Sequence, residues 1–376
     1  AFWDAGVFAG LVGPLCLVRC LTYVLRVTKC DAHLINFLAK GLKHVRFLLV
    51  PGATLITGFI NVSLVSAAGS AAAAGAILVP MLIASGVRPV MAAAAVYAGT
   101  FGSLMSPGNP HNVFIATKLL DKPVMEVVSV IFWPALIALF IGAGSLAAVA
   151  FLLKEDRGYV PEEGFVDPIE KTNFLYAIVP VVSILILMLA PTWVGTEYPW
   201  LKKIRISHAM LIGAFLAMAV TRTNPQAAVR ELFKGAGDAY ASIMGIIISA
   251  SVFVGGLTAC GVVAAFNDSL RNAGEAAAWA AAWGPFILAT LTGSGDATIL
   301  AFNEAVTPQA ADYGMSIVNM GSLANLGGAL GRTMSPLAGG IIILAGMARV
   351  STVDVAKRIA PGMILACFVG LFLFTS

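Results

Sequence analysis

The chain has 376 residues, of which 59% are hydrophobic and 11% charged, and its formal net charge at pH 7 is +4. Soluble domains carry about 25% charged residues, so this composition excludes a soluble enzyme, a disordered chain and a disulfide-stabilised secreted domain. No basic tract is interleaved with aromatic residues, so nucleic acid is not an expected partner. The long apolar runs predict an all-α, multi-pass membrane protein, because a bilayer admits only helices and closed barrels, and barrel strands alternate.

Apolar stretches recur along the whole chain, and several are shorter than the roughly 20 residues of a simple membrane span. Glycine, proline, serine and asparagine interrupt the short ones. A polar stretch, 154–173, carries nine charged residues and two prolines, which predicts a linker between two halves, 1–153 and 174–376. The predicted apolar segments are approximately 5–25, 47–66, 70–85, 89–105, 130–153, 174–191, 207–221, 240–265, 278–292, 297–307, 315–331, 336–348 and 360–375.

The two halves share sequence blocks at a nearly constant spacing. The Met-Ser-Pro sequence around Ser106 recurs around Ser335, at an offset of 229 residues. About forty residues upstream of each, the stretch around Ser66 aligns with the stretch around Ser294 at an offset of 228. Two blocks in the same order at nearly the same offset predict an internal repeat.

The distribution of basic residues predicts that the two repeats have opposite orientations. Segment 19–46 holds six Lys and Arg residues, whereas its counterpart, 258–275, holds only Arg271 beside two acids. Because basic loops stay on the cytoplasmic side, the counterparts are expected on opposite sides of the membrane. Such inverted repeats are typical of secondary transporters. Two apolar segments, 174–191 and 207–221, precede the second repeat without a counterpart in the first, so we expect one or two N-terminal helices to be missing from this sequence.

The stretch 106–112, Ser-Pro-Gly-Asn-Pro-His-Asn, is predicted to break a helix at membrane depth. Its prolines and glycine leave backbone groups that lipid cannot satisfy, so such a break is tolerated only beside a buried or wet cavity. Helix N-termini at the break can hold an anion, and carbonyl and side-chain oxygens can hold a cation. Ser106, Asn109 and Asn112 supply short polar side chains there. The alternative is a polar loop outside the membrane.

The matching stretch in the second half contains Arg332 between two apolar segments. A buried arginine in a membrane costs at least a few kcal/mol unless it has a partner or water. A substrate carboxylate is one such partner, because the guanidinium group binds it in a bidentate fork. The alternatives are an ion pair with Asp296 or Glu304, or extension of the side chain to the interface.

The third block is Thr-Gly-Ser-Gly-Asp-Ala-Thr, 292–298, whose glycines would let the tip of a re-entrant hairpin approach a ligand closely. Asp296 could coordinate Na⁺, carry a proton or neutralise Arg332. The matching tip in the first half carries Asn61 and Ser63 but no acid. The same block matches the GxGD signature of intramembrane aspartyl proteases, a remote alternative, because no second membrane-embedded aspartate is evident.

These motifs resemble the anaerobic C4-dicarboxylate carrier family of the DcuC type. The block GSGDATILAFNEAVTP, 293–308, is similar to the family's GSG-N/D-A block, and 321–358 is similar to its SNLGRTxSPxxGxxxAxAGMAKIS block. Segment 236–266 also fits, and 60–125 resembles the family more loosely. The stretch 106–112 departs from the APTSGD-like sequence expected there, which bears on the identity of the substrate more than on the fold.

The resemblance implies the ion-transporter superfamily fold, with two inverted repeats that each contain a re-entrant hairpin and a broken helix. The hairpin tips would be 61–70 and 292–298, and the breaks 106–112 and 331–336. It also implies a homodimer in the bacterial inner membrane that works by an elevator mechanism. Transport-domain elements would lie at about 50–125 and 280–350, with the remainder as scaffold. The implied substrates are succinate, fumarate, malate or aspartate-like dicarboxylates.

No cofactor is expected beyond Na⁺ as a possible coupling ion, and the energy source could be Na⁺, H⁺ or exchange. The alternative functions are transport of another organic anion (citrate, gluconate, an amino acid) and a cation/proton antiport activity.

Two sets of site residues follow from the motifs and the resemblance. The expected substrate-binding residues are Ser66, Ser106, Asn109, Asn112, Ser294, Asn325, Arg332, Thr333 and Ser335, and the expected ion-binding residues are Asn61, Ser63, Gly108, Asp296 and Thr298.

Overall fold

A computed structural model describes residues 5–42, 46–160, 172–189, 197–198, 200, 204–271 and 276–375. All regular structure in these ranges is helical. The α-helices are α1 Ala5–Val27, α2 Cys30–Leu42, α3 Leu49–Ser63, α4 Ala67–Ala84, α5 Pro89–Ala98, α6 Pro110–Phe114, α7 Val124–Leu152, α8 Phe174–Leu189, α9 Ile206–Thr221, α10 Pro225–Asp238, α11 Gly245–Ala259, α12 Val262–Arg271, α13 Ala276–Thr292, α14 Gly295–Ala305, α15 Ile317–Met334, α16 Gly339–Ala348 and α17 Thr352–Thr375.

The helices have the length and apolar surface of membrane spans. Helix α7, with 29 residues, is about 43 Å long at 1.5 Å per residue. Large apolar side chains such as Trp133 and Phe140 are exposed along it, as expected where a helix meets lipid. The described segments long and apolar enough to cross a membrane are Ala67–Ala84, Pro89–Leu120, Val124–Leu152, Pro225–Ala259, Ile317–Ala348 and Thr352–Thr375.

Helix order in the first half recurs in the second at a fixed spacing. Helices α3 to α7 begin at residues 49, 67, 89, 110 and 124, and helices α13 to α17 begin at 276, 295, 317, 339 and 352. Each start is therefore repeated 227 to 229 residues later. The physical cause is local, because the Ser N-caps and the proline-containing breaks recur at the same spacing as the helices that they begin or end.

The helices form two packing groups. In the first, α13 packs along α15, α16 packs on α4 and α5, and α17 packs on α7 and α15, so that the two repeated sets of helices interlock. In the second, α1 packs on α9 and α10, and α8 packs on α2 and α9. Fully buried side chains of the interlocked group include Tyr97, Phe101 and Met81.

Glycines allow the interlocked helices to approach closely. A Cβ atom on Gly331 would clash sterically with the carbonyl oxygen of Phe286 on α13. A Cβ on Gly102 would meet the carbonyl oxygen of Gly58 on α3 in the same way. These two glycines are 229 residues apart, and their partners are 228 apart. The same backbone contact therefore occurs once in each half.

Two predictions from the sequence can be compared with these helices. The expected second break, 331–336, is partly wrong, because α15 stays helical through Met334 and the chain leaves the helix only at 335–338, where Pro336 cannot continue it. Of the predicted linker, 154–160 and 172–173 are described, and 161–171 lies outside the described residues. Its start is anchored, since Glu155 accepts a backbone hydrogen bond from Arg88 at 2.9 Å and pairs with Arg358 at 2.8 Å.

Candidate functional site

Two helical hairpins turn sharply at matching positions. Helix α3 ends at Ser63 and α4 begins after Ser66, whose hydroxyl accepts a hydrogen bond from the backbone N–H of Gly69 at 3.1 Å. Helix α14 begins after Ser294, whose hydroxyl accepts from the N–H of Ala297 at 3.4 Å. The serines are therefore N-caps, which satisfy helix-end donors and fix where each second arm begins.

The two helix breaks also share their local chemistry. The Ser106 hydroxyl accepts from the N–H of Gly108, and the Ser335 hydroxyl accepts from the N–H of Leu337, each at 3.2 Å. After the first break the Asn109 side chain caps α6, accepting from the N–H of His111 at 2.9 Å. Helix α6 continues as a π-helical stretch to Leu120, and α16 begins after the second break.

The four helices that begin at these turns and breaks meet at one cavity of about 200 Å³. The first residues of α4, α6, α14 and α16 all line it. A helix N-terminus carries a partial positive charge of about half an elementary charge and unpaired N–H groups. Four of them around one space favour an anionic ligand. The lining residues from these helix starts are Ser66, Ala67, Ala68, Asn109, Pro110, His111, Gly295, Asp296, Gly339 and Gly340.

Arg332 enters this cavity from the last turn of α15. Its guanidinium donates to the carbonyl oxygen of Thr100 at 3.0 Å, to the Thr333 hydroxyl at 3.3 Å and to the Tyr97 hydroxyl at 3.4 Å. It forms no ion pair with a carboxylate in the described part of the chain. In this conformation Asp296 faces His111 and Glu304 pairs with Lys118 at 2.5 Å, so neither acid forms the direct ion pair with Arg332 that was the alternative.

Asp296 lies at the start of α14 and is open to the cavity, with 57% of its side chain exposed. Its Oδ1 is 3.1 Å from Nε2 of His111, which is buried at the start of α6. Neither imidazole nitrogen makes a hydrogen bond of standard geometry to another described residue. Both Arg332 and Arg19 also act on the Asp296 carboxylate through their charge.

A chain of buried amides lies behind the cavity wall. Asn325 donates to Asn112 at 3.2 Å, Asn303 donates to Asn325 at 2.9 Å, and Thr307 donates to Asn303 at 2.7 Å. All four side chains are fully buried. Because this series of hydrogen bonds joins α6, α14 and α15, it holds the first break against the second hairpin.

A second polar cluster holds the first hairpin against the first break. The Asn61 side chain accepts from the N–H of Ser103 at 2.7 Å and donates to the Ser70 hydroxyl at 3.0 Å. Asn109 donates to the Ser103 hydroxyl at 3.3 Å. These contacts fix the hairpin tip beside the cavity without exposing Asn61, which is fully buried.

The structure divides the predicted site residues into four groups. Ser66, Asn109, Asp296 and Arg332 line the cavity. Buried positions in the walls are taken by Asn61, Ser63, Ser106, Asn112, Asn325, Thr333 and Ser335. Gly108 is packed beside Val18 of α1. Ser294 and Thr298 line a separate apolar groove between α11, α12 and the second hairpin, and the Thr298 hydroxyl bonds back to the carbonyl oxygen of Gly295 at 3.0 Å.

Sequence reasoning missed four polar residues of the cavity: Arg19, Tyr97, Ser103 and His111. His111 lies within the predicted break, 106–112, and Ser103 lies just before it. Their positions in the sequence could therefore have marked them as cavity residues. Tyr97 is the second-to-last residue of α5, the helix before the break. Arg19 lies on α1, far from every motif in the sequence, and nothing local marks it.

A fold of apolar, broken helices around an anion-compatible cavity defines a multi-pass membrane carrier. Residues 20–375 match the sequence model of the C4-dicarboxylate anaerobic carrier family, DcuC. The chain belongs to this family, whose members are carriers and not enzymes.

Relatives and solved structures agree with this membership. The chain is 41% identical to an uncharacterized transporter of Haemophilus influenzae over 281 residues, which is 72% of this chain and 100% of that protein. It is 27% identical to the anaerobic C4-dicarboxylate transporter DcuC of Vibrio cholerae over 85% of this chain and 71% of that one. The Escherichia coli K12 DcuC transporter is 24% identical over 93% of this chain and 77% of its own.

Two solved membrane transporters share the fold. MtrF of Neisseria gonorrhoeae, described among antimetabolite efflux pumps, superposes with a TM-score of 0.61 at 12% identity, over 99% of this chain and 81% of that one. The YdaH transporter of Alcanivorax borkumensis superposes with a TM-score of 0.57 at 15% identity, over 100% of this chain and 89% of its own.

Proposed function

We propose that the protein is a secondary active transporter of C4-dicarboxylates such as succinate, fumarate and malate. The observation that carries the proposal is the cavity where four helix N-termini surround Arg332, which has no acid partner among the described residues. Relatives named as anaerobic C4-dicarboxylate transporters support the substrate class.

The chemistry of the cavity suits a carboxylate. Arg332 donates to two hydroxyls and one carbonyl through its Nη atoms, and its planar fork can donate to a carboxylate in exchange for the long bond to Tyr97. Hydrogen bonds to a charged group contribute about 1.5–3 kcal/mol each. Ser66 and Asn109 lie on the cavity wall, and their polar atoms complete the binding surface.

We further propose that transport proceeds by an elevator in which the helices within about 50–125 and 280–350 move against the rest of the protein. The repeated helix starts and the matched glycine contacts support two inverted repeats, with transport-domain elements at about 50–125 and 280–350. The packing of α1 on α9 and α10, and of α8 on α2 and α9, supports a scaffold. A homodimer in the bacterial inner membrane belongs to the same proposal, and light scattering of the purified protein in detergent tests the dimer.

We propose that Asp296 couples substrate transport to an ion gradient. Its carboxylate is open to the cavity and faces His111 and two arginines, so its charge affects any anion that binds. A proton or Na⁺ at this carboxylate would remove its repulsion toward the substrate. Asn61, Ser63, Gly108 and Thr298 remain the other candidates for ion ligands.

The test is uptake of radiolabelled succinate into proteoliposomes. A Na⁺ gradient, a proton gradient and internal unlabelled succinate are imposed one at a time. We expect at least one of them to stimulate uptake, and excess fumarate or malate to compete better than citrate or gluconate. Folded protein that takes up no succinate under any of the three conditions would contradict the proposal, as would preferential competition by citrate or gluconate.

A further inference from the structure

The cavity contains a second arginine that belongs to neither repeated set of helices. Arg19 lies in the middle of α1 and lines the cavity together with Arg332. Its side chain is 16% exposed. Helix α1 packs mainly on α9 and α10 and reaches the interlocked helices at α6 and the π-helical stretch that follows it. Arg19 therefore brings a charge into the cavity from the other packing group.

The guanidinium of Arg19 is only weakly engaged by protein groups. Its Nε lies 3.6 Å from Oδ2 of Asp238, the last residue of α10, and this is its only ion pair among the described residues. That distance exceeds a hydrogen bond, and Nε is a buried donor without a hydrogen-bond partner. Asp238 is itself 36% exposed, so water screens the pair. An arginine used only for structure would be expected to bond its carboxylate directly, in the fork that planar guanidinium groups form.

A dicarboxylate presents two anionic groups, and this cavity presents two guanidinium groups without a hydrogen-bonded acid. Both act on the Asp296 carboxylate through their charge. We propose that Arg19 binds the second carboxylate of the substrate while Arg332 binds the first. The inference rests on the proposed function and adds a substrate-binding residue that selects dianions over monoanions.

This assignment has a structural consequence. Arg332 is carried by α15 and Arg19 by α1, so a bound dicarboxylate bridges the two packing groups. A monocarboxylate can satisfy only one of the two arginines. Discrimination follows because the unused guanidinium then keeps only the weak contacts that it already makes with the protein.

The test compares succinate binding by calorimetry in three variants of the purified full chain in detergent. Because a charge-assisted hydrogen-bonded pair is lost, Arg19→Gln is expected to raise the Kd for succinate about ten- to hundredfold. Arg19→Lys is expected to lie between this variant and the wild type. Arg230→Gln removes an exposed arginine of α10 as a matched control, and it is expected to leave the Kd within twofold.

Asp238→Asn separates a binding role from a structural one. If Arg19 binds substrate, removing its competing acid leaves succinate affinity unchanged or tighter. If Arg19 acts only through its ion pair, Asp238→Asn weakens binding as much as Arg19→Gln does, and the inference is overturned. Arg19→Gln with a Kd within twofold of wild type also overturns it. Wild-type protein that binds no succinate would instead overturn the proposed function, and the Arg19 assignment with it.

Discussion

Nε2 of His111 lies 3.1 Å from Oδ1 of Asp296, so the start of α6 in the first half faces the start of α14 in the second half. The histidine is buried, whereas the aspartate is open to the cavity. A change in the charge of either residue therefore changes the electrostatic field in the cavity, to which Asp296 is open.

The first prediction concerns the ion dependence of transport. Asp296→Asn is expected to change the dependence of the initial uptake rate on pH or Na⁺ more than it changes succinate affinity, because it removes the charge that a coupling ion would neutralise. His111→Gln should shift the same dependence, and the double variant should be non-additive by about 0.5–3 kcal/mol, as for residues in contact.

The measurement is the initial uptake rate over a matrix of pH and Na⁺ concentrations at fixed succinate. Asp121→Asn is the matched control, since this aspartate is exposed and its left-handed backbone, with φ of 51°, suits asparagine. An ion dependence in Asp296→Asn identical to that of wild type would make the carboxylate structural.

The second prediction concerns Arg332. Arg332→Ala should weaken succinate binding by more than about a hundredfold, since it removes the charge and the fork that binds carboxylate. Arg332→Lys should bind at an intermediate level, because lysine keeps the charge without the planar fork. Calorimetry measures the affinity, and size-exclusion chromatography checks folding. Retention of wild-type affinity in folded Arg332→Ala would remove this residue from the binding site.

The third prediction concerns the buried amide chain. Asn325→Leu leaves the amide of Asn303 and the side-chain carbonyl of Asn112 without partners, and each costs about 1–3 kcal/mol. We expect the unfolding temperature in detergent to fall by several degrees. Asn319→Ala on the same helix is the control, because its side chain forms no hydrogen bond with other described residues. Equal stability of the two variants would mean that water replaces the lost partners.

The fourth prediction concerns the close contact between α13 and α15. Gly331→Ala places a methyl group against the carbonyl oxygen of Phe286, so the helices must separate and the Arg332 turn must shift. Folded yield and uptake should both fall. Gly346→Ala in α16 meets no atom within 4 Å and should be neutral or stabilising by about 0.5–1 kcal/mol. Uptake by Gly331→Ala at the wild-type rate would show that the contact can relax.

The sequence alone located the turns and breaks. Ser66, Ser294, Ser106 and Ser335 all lie where helices begin or end, because N-capping serines and prolines act on the backbone within a few residues of their own position. For the same reason, the internal repeat could be predicted from the sequence. Family membership was predicted from the second-half motifs and is confirmed by the match over residues 20–375.

Tertiary structure decided which side chains face the cavity. Asn112 and Asn325 stand beside the break and in the helix that leads to it, yet their amides bond to each other inside the wall. Arg19 carries no local signal, and it reaches the cavity because α1 packs beside α6. Local sequence determines where a helix starts and stops. Which of its faces meets the ligand depends on contacts between helices far apart in the chain, and no local pattern encodes those contacts.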